Sequence, residues 1–376
     1  MLEWKKLGEI LDYEQPTPYL VESTEYDDNY DVPVLTAGQS LLLGYTNEKD
    51  GVFKADKDNP TIIFDDFTTS FHWIDFDFKV KSSAMKMLRP RNGTNFRYVY
   101  YAMQQINYVP TQHQRHWISK YSQFEIPVPS IAEQSRIVSI LDTFTASIDN
   151  LKLQIEQRRK QYNWIIDYFY YSDKYEMMKA ADDGKVQVKT MDEIGTFIRG
   201  RRFVRTDIVQ EGVPCIHYGD MYTYYGVCAD KTPTFLTKEK SSKLRYAQKG
   251  DVVIVAAGEN DIDIGVGVAW LGEEDVVVHD ACFIYKHEMN PKYVSYFLRS
   301  MNYHLQIRMG VVDGKICSIS AKELGRTLIP IPSLAEQSRI VGILDTFEAS
   351  IANLEQQLEM RQKQYEYYRN KLFTFE

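Results

Sequence analysis

The stretch IPVPSIAEQSRIVSILDTFTASI, residues 126–148, returns 203 positions later as IPIPSLAEQSRIVGILDTFEASI, residues 329–351. Aligned without a gap, residues 126–162 and 329–365 are identical at 27 of 37 positions. Internal repetition is the strongest architectural signal that a single sequence offers. The repeat therefore predicts that one structural unit is used twice in the chain.

The sequence before each repeat is related more weakly. Tyr98 and Tyr101 in the first copy match Tyr293 and Tyr296 in the second. The offset between matching positions grows along the chain from 181 to 203 residues, so the second copy carries insertions. We expect the chain to contain two copies of one unit, and each copy consists of a divergent globular head followed by a nearly unchanged helix.

Each repeat begins with a helix start and continues as a heptad pattern. Ser130 and Ser333 each follow proline and precede a glutamate by three positions, which is a capping box. The apolar seam that follows alternates spacings of four and three, as in a coiled coil. Its predicted core residues are Leu141, Phe144, Ile148, Leu151, Ile155, Leu344, Phe347, Ile351, Leu354 and Leu358. Arg158 and Arg361 interrupt the two seams at the same place. Each arginine either lays its aliphatic chain along the seam with the guanidinium in water, or acts as a specific polar residue that fixes the register of the coiled coil.

A helix of this length needs a partner for its apolar stripe, and the twin helix is the obvious one. About 40 helical residues extend over roughly 60 Å. The connecting segment 172–185 spans at most about 50 Å when fully extended, which is too short for a parallel return. We therefore predict antiparallel pairing, with opposed residues whose numbers sum to about 509.

The predicted fold class is α+β. Two globular α/β domains are separated by two long repeated helices, which form an antiparallel coiled coil with pseudo-two-fold symmetry. The expected boundaries are residues 1–129 for the first domain, 130–172 for the central spacer helix, 173–185 for a linker, 186–332 for the second domain and 333–376 for the distal spacer helix.

Composition limits the classes of protein that remain. A chain of 376 residues can bury two ordinary cores, and 26% charged with 44% apolar residues fits a globular protein. Charges break up the first apolar runs, and no run approaches the length of a membrane span, so neither a signal peptide nor a membrane helix is expected. The four cysteines form no CxxC pair, which favours a reducing, cytoplasmic setting. The net charge of −8 argues against nucleic acid unless the charge is unevenly distributed.

The charge is in fact uneven. Residues 78–124 contain no Asp or Glu, residues 199–205 read RGRRFVR, and residues 231–249 hold five lysines and one arginine against one glutamate. Cations suit phosphate contacts, and Arg, Asn and Gln suit base edges. A solvated basic face is the alternative, but one cluster in each head favours nucleic acid. The candidate DNA-binding residues are Lys81, Lys86, Arg89, Arg91, Arg97, Arg115, Arg199, Arg201, Arg202, Arg205, Lys238, Lys240 and Lys243.

No motif predicts catalysis in this chain. The sequence has no GxxxxGK[ST] phosphate loop and no Pro-Asp dipeptide with which a nuclease core could begin. His113 and His116 have the spacing of two zinc ligands, but no cysteine pair lies nearby. We therefore expect no catalytic residue, no metal site and no cofactor bound by this chain.

Basic, divergent heads that each lead through IP[VI]PS[IL]AEQSRIV into a long repeated helix resemble the specificity subunit of Type I restriction-modification enzymes. The family's motif falls on residues 129–136 and 332–339. The resemblance implies that the heads are target-recognition domains for the two halves of a bipartite, asymmetric site in double-stranded DNA. It also implies two modification subunits with S-adenosylmethionine and two restriction subunits with ATP and Mg, which together methylate adenine at N6 and cleave DNA.

Two nearly identical surfaces on one chain should recruit two copies of one partner. The candidate contacts are polar positions shared by both copies and expected to be exposed, namely Gln134, Arg136, Gln337 and Arg339. Two other interpretations stay open. One is the specificity subunit of a related bipartite system outside Type I, and the other is a coiled-coil scaffold that does not bind DNA.

Overall fold

The computed structural model describes residues 2–375 except residues 37, 39, 92, 111–113, 260 and 313. The chain divides into two compact units. Unit 1 comprises Met1–Lys152 with Gln357–Glu376, and unit 2 comprises Leu153–Gln356. Each unit contains one globular head and parts of both long helices.

The head of unit 1 is a set of short strands with two short helices, α1 (Leu7–Ile10) and α2 (Phe96–Met103). The strands are β1 (Glu3–Lys6), β2 (Leu11–Glu14), β3 (Val32–Leu35), β4 (Leu42–Thr46), β5 (Thr61–Asp65), β6 (Phe71–Ile74), β7 (Lys79–Val80), β8 (Met85–Pro90) and β9 (Glu125–Val128). They form sheets in the orders β2-β8-β5-β6, β4-β3-β7 and β1-β9. The central helix α3 (Ile131–Tyr170) follows β9.

The head of unit 2 is larger. Its strands are β10 (Gln187–Thr190), β11 (Gly195–Arg199), β12 (Ile208–Val209), β13 (Val213–Ile216), β14 (Cys228–Ala229), β15 (Thr234–Leu236), β16 (Tyr246–Ala247), β17 (Val252–Val255), β18 (Ala257–Gly258), β19 (Gly267–Trp270), β20 (Val276–Val278), β21 (Cys282–His287), β22 (Cys317–Ser318) and β23 (Leu328–Ile331). Its helices are α4 (Lys174–Asp182), α5 (Met191–Ile194), α6 (Asp220–Thr223), α7 (Lys238–Ser241), α8 (Pro291–Phe297), α9 (Met301–Ile307) and α10 (Ala321–Gly325). The distal helix α11 (Leu334–Leu372) follows β23.

The two heads share one topology although their sequences differ. The sheet β2-β8-β5-β6 has the same order and the same antiparallel pairing as β11-β21-β17-β19. The parallel pair β3 and β7 corresponds to the parallel pair β13 and β20. Strands β12, β14 and β16 and helices α6 and α7 belong only to unit 2 among the described residues. Of these, β14, β16, α6 and α7 lie between β13 and α8, where the offset between the two copies grows from 181 to 195.

The segment expected to be a plain linker, residues 173–185, contains helix α4. The Asp173 side chain accepts a hydrogen bond from Glu176 N at 2.9 Å and so caps this helix. Met177 and Ala180 are buried, which gives the helix a packed face. No helix in the described part of the chain combines the length and the apolar character needed to cross a bilayer.

The two long helices run antiparallel, as their contacts inside each unit show. In unit 1 the ring of Phe144, near the start of α3, stacks on Tyr368, near the end of α11, with centroids 5.3 Å apart. In unit 2 the ring of Tyr162, near the end of α3, lies 6.5 Å from Phe347, near the start of α11. The paired numbers sum to 512 and 509, so the predicted antiparallel coiled coil and its register are confirmed.

The two seam arginines occupy equivalent places. The guanidinium of Arg361 lies 5.7 Å from the ring centroid of Phe144, and that of Arg158 lies 5.6 Å from Phe347. Both arginines are half-buried. A cation over an aromatic face replaces apolar packing at this level of the seam, in agreement with an arginine stem that lies along the seam.

Each long helix packs on a head at both of its ends. Leu141 and Leu344, predicted for the coiled-coil core, are fully buried in the apolar cores of their own heads. Farther along α3, Ile148, Leu151 and Ile155 are 8–9% exposed. The corresponding stripe of α11 is half-buried at Phe347, Ile351, Leu354 and Leu358.

The end of each long helix also packs on a head. The ring of Phe373 stacks on Tyr98 in unit 1, with centroids 5.1 Å apart. Tyr170 lies 4.9 Å from Tyr293 in unit 2. Phe373 stands 203 positions after Tyr170, as the repeat requires. Each head is therefore held by the start of one long helix and by the end of the other.

Candidate nucleic-acid interface

The arginine-rich loop of unit 2, residues 199–205, follows strand β11 and is anchored through its own side chains. Arg199 Nε donates to the carbonyl oxygen of Asp280 at 2.8 Å. Arg201 Nη1 donates to the carbonyl oxygen of Lys243 at 2.7 Å. These bonds tie the loop to two other segments, so its cations lie on a defined surface.

An aromatic side chain fixes the same loop from inside. Phe203 is 1% exposed and packs in a small core with Cys215, Leu236 and Val277. The ring of His279 meets Phe203 edge-on at 4.9 Å, and His279 Nε2 lies 2.9 Å from the carbonyl oxygen of Phe203. Burial lowers the pKa of His279, which keeps this ring neutral near pH 7. The loop is therefore anchored by packing, while its arginines stay outside.

Helix α7 and the residues after it bring the lysines to this loop. Lys240 Nζ lies 2.9 Å from Asp207 Oδ2, just beyond the loop. Arg245 Nη1 donates to the carbonyl oxygen of Arg199 at 2.5 Å. All seven predicted DNA-binding residues of unit 2 are exposed: Arg199, Arg201, Arg202, Arg205, Lys238, Lys240 and Lys243. This basic face can contact phosphates through lysine and phosphates or guanine edges through arginine.

Unit 1 presents a different charge at the same point of the topology. The loop after β2, residues 15–31, corresponds to the loop after β11. This loop exposes five carboxylates, those of Glu22, Glu25, Asp27, Asp28 and Asp31. The two heads therefore have one framework and opposite charges at equivalent loops.

Lys86 was predicted to contact DNA, and this prediction is wrong. Lys86 Nζ lies 3.1 Å from Asp66 Oδ2, and both side chains are 1% exposed. Lys86 Nζ also donates to Gln15 Oε1 at 3.1 Å. Drawing the lysine out to a phosphate would leave a buried carboxylate without its partner, which is strongly unfavourable. Lys86 therefore stabilises the head of unit 1.

Arg97 was also predicted to contact DNA, but its guanidinium is held inside unit 1 and is not available to read a base. Arg97 Nε donates to Asp142 Oδ1 at 2.8 Å. Its guanidinium lies over the rings of Trp73 at 4.6 Å and Tyr101 at 5.0 Å. The residue links helix α2 to the central helix. Its counterpart in unit 2, Lys292, forms an ion pair with Asp345 at 2.5 Å.

The other four candidates of unit 1 lie nearer the surface. Arg89 is half-buried over the ring of Phe53 at 4.9 Å, and Arg91 forms an ion pair with Asp12 at 2.7 Å. Lys81 and Arg115 are exposed. These four residues remain candidates individually.

The glutamine of the repeated AEQ motif was expected to be exposed, and this expectation is wrong. Gln134 is 1% exposed and Gln337 is 2% exposed. Gln134 Oε1 accepts from Asn95 N at 2.8 Å, and Gln134 Nε2 donates to Pro129 O at 2.8 Å. The sequence held a signal for this burial, because Gln134 precedes Ile137 by three positions and lies on the same buried helical face.

Unit 2 repeats these contacts. Gln337 Oε1 accepts from Asn290 N at 2.9 Å, and Gln337 Nε2 donates to Pro332 O at 2.9 Å. Asn95 and Asn290 cap helices α2 and α8, so each glutamine binds the first turn of the helix that packs on it. We call this arrangement the glutamine joint.

Two tyrosines complete each glutamine joint. Tyr101 donates to Asp142 Oδ1 at 2.5 Å, and Tyr296 donates to Asp345 Oδ1 at 2.7 Å. Burial raises the pKa of both tyrosines, so the hydroxyls stay protonated as donors. The other two, Tyr98 and Tyr293, donate to the carbonyl oxygens of Pro127 at 2.6 Å and Pro330 at 3.0 Å, one in each unit.

The outer side of each helix start is exposed and alike in both units. Arg136 pairs with Glu133 at 2.6 Å, and Arg339 pairs with Glu336 at 2.6 Å. Each pair stands beside an exposed apolar side chain, that of Ile131 at 52% or of Leu334 at 61% exposure. The repeat thus displays the same small surface twice.

The family described as the Type I restriction modification DNA specificity domain matches residues 1–158 and 184–360. The chain belongs to this Type I specificity family. It is 39% identical over 397 residues to the Type I restriction enzyme EcoR124I/EcoR124II specificity subunit of Escherichia coli, an alignment that covers 100% of this chain and 94% of the relative.

Solved structures agree in fold. The crystal structure of the Type I restriction-modification S subunit from M. genitalium aligns with a TM-score of 0.60 at 17% identity and covers 100% of this chain and 97% of that chain. A second structure, solved to explain complex assembly and conformational transition of a type I R-M system, gives a TM-score of 0.56 at 14% identity over 99% of this chain and 97% of that chain.

As a Type I specificity subunit, the chain provides DNA sequence specificity in a restriction-modification system. The family match comprises two segments, and each contains one head and the start of the following long helix. This membership removes the interpretation of a scaffold that does not bind DNA. Specificity subunits of this family are not catalytic, and among the described residues no group of three or more His, Cys, Asp or Glu could hold a metal ion. His113 lies outside the described residues.

Proposed function

We propose that each head of this specificity subunit reads one half of a bipartite, asymmetric DNA site. The observation that supports this most directly is the shared topology with opposite charges at the equivalent loops 15–31 and 199–205. Bases are read by side chains that reach the groove, and the framework carries no sequence information. Two heads with the same framework and different side chains therefore read different bases.

We further propose that the two exposed helix starts dock two modification subunits. A surface that occurs twice on one chain recruits two copies of a single partner. Arg136 with Glu133 and Arg339 with Glu336 supply polar contacts, and Ile131 and Leu334 supply an apolar contact beside them. In unit 2 a cleft of about 710 Å³ opens beside Leu334. The buried Gln134 and Gln337 contribute only by holding this surface in place.

In the assembly we propose, this chain itself performs no chemical step. The modification subunits bind S-adenosylmethionine and methylate adenine at N6, and two restriction subunits use ATP and Mg for cleavage. Cys215, Cys228, Cys282 and Cys317 form no disulfide, which supports a reducing, cytoplasmic setting for this assembly.

Exchange of a head tests the bipartite reading. Residues 1–125 are replaced by the corresponding head of another family member, and methylated adenines are mapped in cells that express the complex. One sequence block should change while the other stays intact. A change in both blocks, or in neither, would refute the proposal.

Charge reversal tests the docking. Light scattering of the purified complex should give two modification subunits per chain. Arg136→Glu or Arg339→Glu alone should reduce this to one, and both together should abolish docking. Lys160→Glu, an exposed change in the second half of α3, is the matched control and should leave two partners bound. A complex limited to one partner in the unaltered protein would show that the repeated surface is not the docking site.

A further inference from the structure

A cavity of about 490 Å³ lies in the head of unit 2, next to the arginine-rich loop. One wall is the antiparallel pair of strands β18 and β22, in which Ala257 pairs with Ser318 and Gly258 with Cys317. The other wall is the segment that contains His279 and Ala281. The backbone amide of Ala257 donates to Ala281 O at 3.1 Å, which joins the two walls at the base of the cavity.

The wall segment also anchors the arginine-rich loop. The carbonyl oxygen of Asp280, between His279 and Ala281, accepts the hydrogen bond from Arg199 Nε at 2.8 Å. The ring of His279 lines the cavity and packs edge-on against Phe203, which anchors the loop, at 4.9 Å. Residues 279–281 therefore join the cavity to the loop that carries the basic face.

The lining combines aromatic faces, small apolar groups and one charge of each sign. The rings of Tyr218 and His279 lie 5.5 Å apart. Ile316, 63% exposed, supplies an apolar edge at the mouth. Glu259 and Lys315 are both exposed at the rim. The major-groove edge of a base suits this set, because it carries hydrogen-bond donors and acceptors beside apolar C–H or methyl groups.

We propose that this cavity receives one base of the second half-site, a base with an exocyclic amine at its major-groove edge. The Glu259 carboxylate accepts from the amine of adenine or cytosine, and Lys315 donates to a neighbouring acceptor. The basic face beside the cavity holds the flanking phosphates. The inference rests on the proposed function of the second head as the reader of one DNA block.

At this point of the topology the described chain of unit 1 has a much shorter connection. Strands β5 and β6 are joined by residues 66–70 alone, whereas β17 and β19 are joined by residues 256–266, which include β18. The cavity therefore serves only the block that the second head reads.

The test uses the complex of this chain with its modification subunit. Affinities are measured for a set of duplexes that each carry one base-pair change in the recognised site. Glu259→Ala, which removes the acceptor, should reduce discrimination about tenfold at one position of the second block and leave the first block unchanged. Ala257→Leu, which fills the cavity, should weaken binding of the cognate site and spare duplexes already altered at that position. Glu274→Ala, which removes an exposed carboxylate between β19 and β20 that does not line the cavity, should change nothing.

Unchanged discrimination at every position in both Glu259→Ala and Ala257→Leu would overturn the proposal, as would a uniform loss over all duplexes. Discrimination within the first block is the control for folding, because a misfolded chain would discriminate at neither block. Failure of the head exchange would instead refute the bipartite function itself. If the exchange succeeds and the two cavity variants show no positional effect, only the cavity is misassigned.

Discussion

Replacing Gln337 with leucine removes the side-chain amide from one glutamine joint while keeping a similar volume. Two backbone groups lose their partners, the N–H of Asn290 and the carbonyl oxygen of Pro332, each at 2.9 Å in the intact protein. Gln337 is 2% exposed, so water does not easily replace the lost bonds. The first turn of α8 should then be bound less tightly to the distal helix.

The size of the effect follows from these two unpaired groups. A buried backbone group without a partner costs about 1–3 kcal/mol, and the leucine recovers part of the loss by apolar packing. The expected loss in the free energy of local opening is about 2–4 kcal/mol. Since about 1.4 kcal/mol is a factor of ten, amides of α8 should exchange with solvent at least about 30 times faster.

Hydrogen exchange followed by mass spectrometry gives this readout separately for each unit. In Gln337→Leu, peptides covering residues 290–298 should lose protection, while peptides covering residues 95–103 should not. Gln134→Leu should give the reverse result, and Ser338→Ala is an exposed neighbour that serves as control. Equal loss of protection in both units, or no loss in either, would refute the glutamine joint as the local fastening of each head.

Four further outcomes are expected. Leu151→Cys with Leu358→Cys, without the four native cysteines, should crosslink within one chain, as resolved by peptide mapping, whereas Leu151→Cys with Tyr365→Cys should not. Lys86→Ala should lower the free energy of unfolding in urea by about 3–5 kcal/mol, because it strands the buried Asp66, and should leave the salt dependence of DNA binding unchanged. Arg202→Ala should instead weaken binding to all duplexes alike and reduce the slope of log K against log salt by about one unit. Burial lowers the pKa of His287 to about 4, below its unfolded value of 6.5, so unit 2 should lose up to about 3 kcal/mol as pH falls from 6.5 to 4, and calorimetry of His287→Gln should show a weaker decline.

The antiparallel helices were predictable because their signal is local and occurs twice. A seam with period 3.5 needs no knowledge of the rest of the chain, and the short connecting segment excludes parallel pairing. The shared topology of the heads was not predictable in the same way. It depends on strand pairings such as β5 with β8, which join segments far apart in sequences that hardly resemble each other.

Tertiary contacts determine which of the predicted basic residues are exposed and which are buried. Lys86 and Lys81 look alike in an acid-free stretch, but only Lys86 lies opposite a carboxylate 20 positions earlier in sequence, inside the core. Gln134 could have been placed correctly, because its spacing to Ile137 puts it on the buried face. The cavity beside the arginine-rich loop depends on the pairing of β18 with β22, which are too short to leave a pattern in the sequence.

The glutamine joint has a consequence for how such a chain acquires new specificities. The helix, which is repeated within the chain, supplies the glutamine amide, whereas the head supplies a backbone N–H at Asn95 or Asn290. A peptide N–H is present at any residue except proline. A gene that exchanges one whole head by recombination within the repeated sequence therefore inherits a new reading surface and keeps the same fastening, without any compensating mutation in the helix.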